Sequence, residues 1–437
     1  MTFKLDNLTG GHGRSGAVTL GDMFERLFGA DAPVRFSAYD GSSAGDPHAE
    51  IGIRVVTPRA VSYLATAPGS LGMARAYIQG DLDVEGVHPG NPYELLKVMD
   101  DGLHLQRPSL SEAMAWARSL GPKTFVPPPL PAQEVVPSWR RGLRHSRDRD
   151  AESISYHYDV SNAFYERVLG PSMTYTCACF PAEDSTLEEA QAHKYDLVAR
   201  KLGLQPGMRL LDVGCGWGGM VRHAAKNYGV TVLGVTLSRE QATWAQERIK
   251  AEGLDDVAEV RHSDYRDVRE RDFDAVSSIG LIEHIGVKNY PAYFSFLRSR
   301  LRPEGRLLNH GITRPDNQHA GLPRRGFIGR YVFPDGELTG SGDIVRAMED
   351  AGFEVQHQEN LRVHYAKTLT GWCDNLVTNW DACVAEAGLP VAKVWGLYMA
   401  GSRLGFESNQ IQLHQVLGTR DSIGGSSGYP LRHDFGV

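Results

Sequence analysis

The chain has 437 residues and a formal net charge of −7 at pH 7, with 41% hydrophobic and 23% charged residues. Its length favours two domains, and the composition is typical of a soluble globular protein. The acidic balance argues against nucleic-acid binding, and no apolar run approaches the roughly 20 residues that a membrane span needs. Five sparse cysteines and an N-terminus without the apolar core of a signal peptide predict a cytoplasmic protein.

Residues 1–125 are predicted to form a small α+β domain for lipid or partner interaction. From Val18 the pattern LGDMFERLF indicates a helix, followed by strands in VRFSAYDG and IGIRVVT and by a helix over 91–103. Residues 126–151 are predicted to be a linker, because the prolines of PPPLP keep it extended. Its basic part, SWRRGLRHSRDRD, fits either a solvated linker or a contact with anionic lipid headgroups, where each basic residue adds about 1 kcal/mol.

Residues 152–437 alternate regularly between helical and strand patterns, which predicts a parallel sheet with helices on both faces. The predicted strands lie near 208–213, 231–236, 257–262, 273–279, 306–312, 354–359 and 411–417. The predicted fold class is therefore α/β, a Rossmann-like sheet of seven mostly parallel strands. Ligands of such sheets bind beyond the carboxyl ends of the strands.

A glycine-rich turn follows the first of these strands in MRLLDVGCGWGG, at 208–219. The phosphate loop GxxxxGK[ST] is absent, whereas the dinucleotide pattern GxGxxG is formally met. However, the second strand lacks the acidic residue that holds a dinucleotide's ribose, and Asp212 would face the pyrophosphate. S-adenosylmethionine, which has no phosphate, fits better, and Asp212 would hold its ammonium group or order the loop. The alternative is that Asp212 only caps the turn.

The second strand ends in GVTLSREQ, so that hydroxyl and amide groups replace the acidic residue that commonly binds the ribose of S-adenosylmethionine. After the third strand, SDYRD offers groups for the adenine edge. The cofactor-binding residues predicted from this part of the chain are Asp212, Gly214, Gly216, Gly218, Thr236, Leu237, Gln241, Asp264 and Tyr265.

Longer motifs surround these strands: YHYDVSNAFYERVLGPSMTYTCACF, SIGLIEHIGVKNYPAYF, LNHGIT, YVFPDGEL and HYAKTL. Over about 152–417 they closely resemble the cyclopropane-fatty-acid synthase family of S-adenosylmethionine-dependent methyltransferases, a class I methyltransferase fold. GMARAYIQGDLDVEG resembles the N-terminal domain of its phospholipid-acting bacterial members. TPRAVSYLATAPGSLGMARAYIQGDL and VWGLYMAGSRLGFE resemble the actinobacterial enzymes that make the 10-methylene precursor of tuberculostearic acid.

This resemblance implies methyl transfer to the cis double bond of an oleoyl phospholipid chain, through a carbocation, to give a 10-methylene chain. Cyclopropane formation is the alternative, because the two reactions share their first step. A small-molecule N- or O-methyltransferase and a non-catalytic lipid-binding protein are more remote alternatives. In the family, a bound bicarbonate ion is the base that removes the proton. The matching positions are the backbone N–H groups of Cys177 and Ile312 and the side chains of Glu283, His310 and Tyr365.

Tyr175 and Thr176 match cofactor contacts of the family. An acyl chain needs an apolar tunnel, for which the candidate wall residues are Phe164, Tyr165, Phe180, Phe294, Phe296, Phe327 and Trp372. Arg324, Arg325 and Arg330 form a second candidate headgroup patch.

Peripheral contact with the anionic inner membrane surface is expected, and a homo-oligomer is also predicted. A flavin-dependent reductase partner is implied by the resemblance alone. No metal site is predicted, because Cys177 and Cys179 lack a second pair at ligand spacing and the motif HExxH is absent.

Overall fold

The computed structural model describes residues 18–135, 160–318 and 326–435. These residues divide into two units, one containing the chain up to Gly86 together with Val98–Pro129, and the other containing Val87–Lys97 and Leu130–Val437. The basic stretch from Arg140 to Arg149 lies outside the described residues, as do Arg324 and Arg325 of the second headgroup patch. Arg330 is described, and it lies 3.5 Å from the Glu134 carboxylate.

The first unit is built on a four-stranded sheet. Its strands are β1 (Arg35–Ala38), β2 (Ser43–Gly45), β3 (Gly52–Val55) and β4 (Leu82–Glu85), in the order β2-β1-β3-β4. The helices of this region are α1 (Leu20–Phe28), α2 (Pro58–Thr66), α3 (Ser70–Ile78), α4 (Tyr93–Gly102) and α5 (Leu110–Leu120). The predicted helix LGDMFERLF is confirmed as α1, which begins after a capping box between Thr19 and Asp22.

The second unit contains a seven-stranded sheet. Its strands are β5 (Arg209–Val213), β6 (Thr231–Thr236), β7 (Ala258–His262), β8 (Phe273–Ile279), β9 (Leu301–Thr313), β10 (Phe353–Asn360) and β11 (Gln412–Arg420). The order is β10-β11-β9-β8-β5-β6-β7, and β11 alone runs antiparallel to its neighbours β9 and β10. The predicted α/β class and the seven mostly parallel strands are confirmed.

Helices cover both faces of this sheet. They are α6 (Asn162–Leu169), α7 (Leu187–Leu202), α8 (Gly219–Tyr228), α9 (Arg239–Ala251), α10 (Ile282–Ile285), α11 (Tyr290–Arg300), α12 (Phe327–Tyr331), α13 (Ser341–Asp350), α14 (Arg362–Thr378), α15 (Trp380–Ala387) and α16 (Leu389–Glu407). Successive strand residues point to opposite faces, so Leu210 joins one hydrophobic cluster and Leu211 joins the other. No helix in the described ranges has the length and apolar character needed to cross a bilayer.

Strand order places the candidate site. From β5 the chain continues to β6 on one side, whereas β8 lies on the other side of β5. The carboxyl ends of β5 and β8 are therefore at a switch point, where crevices open in sheets of this kind. The segments after these strands contain the glycine turn and the motif around Glu283.

Candidate active site

The glycine turn after β5 uses backbone conformations that favour glycine. Gly214 and Gly218 have φ angles of +71° and +73°, in the left-handed region. The N–H groups of Gly214 and Cys215 both donate to Val235 O, at 2.9 and 3.0 Å, which ties the turn to β6. A Cβ on Gly214 would lie 3.1 Å from the Leu281 side chain. Glycine at this position therefore keeps the end of β5 open.

A cavity of about 70 Å³ lies beside this turn. Its lining residues are Gly214, Gly216, Val235, Thr236, Leu237, Gln241, Ser263, Tyr265, Arg266, Gly280, Leu281, His284 and Ile285. At its wall the Thr236 hydroxyl donates to the Gln241 amide oxygen at 2.8 Å, which fixes both side chains. The structure thus brings together most of the positions that the sequence assigned to the cofactor.

Three of the predicted cofactor positions lie behind this wall. Asp212 is buried beneath the turn, where it accepts a hydrogen bond from the Ser277 hydroxyl at 2.6 Å. Burial raises the pKa of Asp212 to about 7. Gly218 faces α9, where a Cβ would meet that of Ala245 at 3.1 Å. These positions suit ordering of the loop, which was one of the two roles predicted for Asp212.

Asp264 is the third of these positions. Its carboxylate binds the Arg266 guanidinium, with Nε at 2.8 Å from Oδ1 and Nη2 at 2.5 Å from Oδ2. The neighbouring Tyr265 and Arg266, rather than Asp264, line the cavity. A direct bond from Asp264 to a ligand stays a prediction.

A second cavity, of about 120 Å³, adjoins the first. Its lining residues are Tyr175, Thr176, Cys177, Gly280, Glu283, His284, His310, Ile312, Ile328, Phe333, Gly336, Leu338, Tyr365, Leu369, Tyr398, Ser402, Phe406, Ile411 and Leu413. All five positions predicted as catalytic are among them. Because Gly280 and His284 line both cavities, the two spaces meet just beyond the end of β8.

A carboxyl group and an imidazole occupy the polar part of this second cavity. Glu283 Oε1 accepts a hydrogen bond from the Ile312 N–H at 2.7 Å, so the predicted free N–H of Ile312 is engaged. Glu283 Oε2 and His310 Nε2 are buried and have no hydrogen-bond partner among the described residues. Burial raises the pKa of Glu283 to about 7 and holds that of His310 well below its usual value. The cavity thus presents a carboxyl oxygen and a neutral imidazole.

Cys177 and Tyr365 complete the predicted catalytic set. The Cys177 thiol is buried and donates to Ala178 O at 3.1 Å, and burial raises its pKa well above the ordinary value. A thiol in this state is a poor nucleophile, which agrees with a role through the backbone alone. The Tyr365 ring stacks on Phe406 at 4.5 Å and meets the Trp372 edge at 6.1 Å. These contacts hold the ring in place.

The apolar wall of the second cavity differs from the predicted tunnel. None of the seven aromatic residues proposed for the tunnel lines the cavity, so that prediction was wrong. Trp372, for example, is fully buried behind Tyr175, with ring centroids 5.4 Å apart. Apolar lining residues of the cavity include Leu369 of α14 and Tyr398 of α16 instead.

Comparison with known proteins agrees with this geometry. Residues 145–416, more than half of the chain, match the family described as mycolic acid cyclopropane synthetase. The chain belongs to this family. The resemblance seen in the motifs is thereby confirmed, and the protein is an S-adenosylmethionine-dependent methyltransferase.

Several members of the mycolic acid cyclopropane synthetase family are informative. The chain is 58% identical to a "probable fatty acid methyltransferase" of Mycobacterium tuberculosis, over 96% of this chain and 98% of the relative. It is 37% identical to the cyclopropane-fatty-acyl-phospholipid synthase of Escherichia coli, over 60% of this chain and 66% of that protein. The structure of the mycolic acid cyclopropane synthase CmaA1 complexed with SAH and CTAB has a TM-score of 0.58. It is 35% identical and covers 61% of this chain and 97% of its own.

Two buried residues that were not predicted from the sequence bind Thr176. Gln191 Nε2 donates to Thr176 O at 2.9 Å, and Lys194 Nζ donates to the Thr176 hydroxyl at 2.8 Å. Burial lowers the pKa of Lys194 to about 7. The available signal was helical spacing, because Gln191, Lys194 and Lys201 lie on the buried side of α7 with Leu197 and Val198.

Proposed function

We propose that this protein transfers a methyl group from S-adenosylmethionine to the cis double bond of an unsaturated phospholipid acyl chain, giving a 10-methylene chain. The observation that carries this proposal is the meeting of two cavities at Gly280 and His284. One cavity lies beside the glycine turn, and the other is largely apolar with Glu283 and His310 at its polar part. This is the arrangement needed to bring a methyl donor to an acyl chain.

The residues beside the glycine turn fit S-adenosylmethionine. A side chain at Gly214 would fill the space next to Leu281, and the Thr236–Gln241 pair offers hydroxyl and amide groups for a ribose. Leu237 and Tyr265 provide apolar surface for an adenine ring. The SAH in the CmaA1 complex supports the same cofactor class. When bound, the cofactor supplies an electrophilic methyl group.

The protein must then position the double bond and exclude water. An alkene has no proton to remove before it attacks, so no activated nucleophile is required. The double bond must instead lie about 3–3.5 Å from the carbon that it attacks, in a dry site. The apolar wall of Leu338, Leu369 and Ile411 suits an acyl chain. The Tyr365 ring lines the same space and can stabilise a cation.

Methyl transfer leaves the positive charge on the carbon next to the methylated one, and a hydride shift from the methylated carbon moves the charge onto it. Loss of a proton from the new methyl group then gives the methylene, whereas loss of that proton before the shift would close a cyclopropane ring. Glu283 Oε2 and His310 Nε2, which have no partner in the described part of the chain, fit an anion that requires one acceptor and one donor. Bicarbonate, when bound, supplies such a base, and the Tyr365 hydroxyl would help to orient it. Because the Ile312 N–H donates to Glu283, Ile312 would act through that carboxyl group. The contact from the Cys177 N–H stays a proposal.

Product analysis tests this function. The protein is incubated with dioleoyl phospholipid and S-adenosylmethionine labelled with ¹³C in its methyl group, and the lipid is examined by NMR. We expect the label in an exocyclic methylene carbon. The 58% identity to a probable fatty acid methyltransferase over almost the whole chain supports an acyl-chain substrate. Label in a cyclopropane ring would refute the product, and label absent from the lipid would refute the acyl-chain substrate.

Three further proposals accompany this function, and only the last of them rests on the resemblance. The protein would contact an anionic membrane surface from the cytoplasmic side, form a homo-oligomer and pass its product to a flavin-dependent reductase. Light scattering would test the oligomer, and reduction of the labelled methylene by a supplied reductase would test the last step.

A further inference from the structure

Three polar side chains lie side by side on neighbouring strands behind the second cavity. Glu359 of β10 is opposite Gln415 of β11, and Gln415 is opposite His310 of β9. Gln415 is 1% exposed and His310 is fully buried. Lys201 of α7, whose side chain is also fully buried, reaches the same row. Buried polar groups in such a row must satisfy one another.

Only one orientation of the Gln415 amide is consistent with the hydrogen bonds of this row. Lys201 Nζ lies 2.6 Å from Gln415 Oε1 and also binds the Glu359 carboxylate. An ammonium group donates and cannot accept, so the amide oxygen of Gln415 must face Lys201. The amide nitrogen of Gln415 therefore faces His310 Nδ1, at 3.1 Å. Since this nitrogen donates, His310 Nδ1 must accept and carries no proton.

A neutral imidazole without a proton on Nδ1 has its proton on Nε2. That Nε2 is the buried atom that has no partner in the described ranges, and His310 lines the second cavity. Burial, together with the nearby ammonium groups of Lys194 and Lys201, disfavours a positive charge on the ring. The ring thus offers one N–H to the cavity.

We propose that Lys201 and Gln415 are positioning residues that hold His310 as the Nε2–H tautomer, so that it donates to an oxyanion in the acyl cavity. Glu359 supports the row by binding Lys201. This inference rests on the proposed function for its purpose, because an anionic base beside Glu283 needs a donor. The tautomer itself follows from the row and does not depend on which lipid is methylated.

If the row only stabilised the sheet, moving the proton of His310 to the other ring nitrogen would not affect catalysis. The distinguishing variant is Gln415→Glu, in which a carboxylate beside Lys201 can only accept a hydrogen bond and would therefore favour the His310 tautomer with its proton on Nδ1. The matched control is Gln412→Glu, the same change on the same strand, where the Gln412 amide bonds Asn409 at 2.7 Å.

The first measurement is ¹⁵N NMR of protein labelled at histidine, with the His310 signals assigned from His310→Asn. We expect the proton on Nε2 in the wild type and in Gln412→Glu, and a proton on Nδ1 in Gln415→Glu. A wild-type ring protonated on Nδ1 would overturn the proposal even if lipid methylation is confirmed. Failure of methylation with the expected tautomer would refute the proposed function instead.

The second measurement is the ratio of Gln415→Glu turnover to wild-type turnover against pH. At high pH the variant should lose the cavity donor and turn over about 10- to 100-fold more slowly than the wild type. Lowering the pH should raise the ratio, because a doubly protonated ring regains Nε2–H. Dividing by the wild-type rate corrects for titratable groups whose surroundings are the same in both proteins. The other titratable groups that face the row or the cavity, and that both proteins contain, are Glu283, Lys194, Lys201, Glu359, Cys177 and Tyr365. A ratio near one at every pH would overturn the positioning role.

Should Gln415→Glu fail to fold, Lys201→Met is the second variant. Without the ammonium group the Gln415 amide is free to turn, so both tautomers of His310 should be populated. The exposed Lys226→Met, on α8, is its control. A single Nε2–H tautomer that persists in Lys201→Met would refute the role of Lys201.

Discussion

Glu283→Gln tests the electrostatics of the acyl cavity through stability as well as activity. Burial raises the pKa of Glu283 from 4.5 to about 7, against hydrogen bonds from the backbone N–H groups of Ile312 and of Glu283 itself, which lower it. A carboxyl group with a raised pKa binds its proton more tightly in the folded state than in the unfolded state. Its ionisation therefore costs the folded protein nothing well below pH 4.5 and progressively more between pH 4.5 and pH 7, and the cost is constant well above pH 7.

The magnitude follows from the two pKa values. With each pKa unit worth about 1.4 kcal/mol, ionisation lowers the free energy of unfolding by about 0.8 kcal/mol at pH 5 and about 3.3 kcal/mol at pH 8. Glutamine keeps the amide oxygen for the Ile312 N–H but has no charge. The stability of Glu283→Gln relative to the wild type should therefore increase by about 2.5 kcal/mol between pH 5 and pH 8.

Thermal unfolding of both proteins at pH 5, 6.5 and 8 is the assay. Glu247→Gln, an exposed position on α9, is the matched control and should show no such trend. A difference between Glu283→Gln and the wild type that does not change with pH would refute the raised pKa. In the same samples, Glu283→Gln should bind S-adenosylmethionine normally but turn over lipid orders of magnitude more slowly. Near-normal turnover would remove Glu283 from the mechanism.

Three other changes address the junction, the hydroxyl and the linker. Gly280 has a φ of +73°, and the Cβ of Gly280→Ala would lie 2.8 Å from Thr176. This variant should lose about 1–2 kcal/mol of folding stability and have a lower kcat/KM for both substrates. Unaltered kinetics would contradict the meeting of the two cavities at Gly280. Tyr365→Phe should reduce turnover about tenfold without changing the melting temperature. Full activity of this variant would exclude a catalytic role of the Tyr365 hydroxyl. The Arg140→Ala and Arg141→Ala pair should weaken binding to anionic vesicles, most at low salt, whereas unchanged affinity would favour the solvated linker.

The sheet could be predicted closely because its strands are apolar runs bounded by turns. Strands β6 and β8 have the predicted bounds, whereas β9 begins at Leu301, directly after α11, rather than at the predicted 306. The glycine turn was also predictable, since its conformation depends on local residue types. These features are encoded within short stretches of the chain.

The cavity wall was harder to predict because it depends on which side of a helix faces the site. Aromatic residues such as Trp372 fill the core behind the wall, and nothing in their spacing separates the two locations. The bond from Ile312 to Glu283 joins residues from β9 and α10, which only the folded sheet brings together. The support of His310 by Lys201 likewise requires three elements distant in sequence.

The reversed strand β11 has a consequence for biogenesis. It is the last strand along the described chain, yet it is inserted between β9 and β10, which are made earlier. Neither β9 nor β10 can form its hydrogen bonds with β11 until this segment has left the ribosome and lies between them. A nascent chain that stops before it would therefore lack both a continuous sheet and the amide behind His310, so that chemistry begins only after this segment has been made.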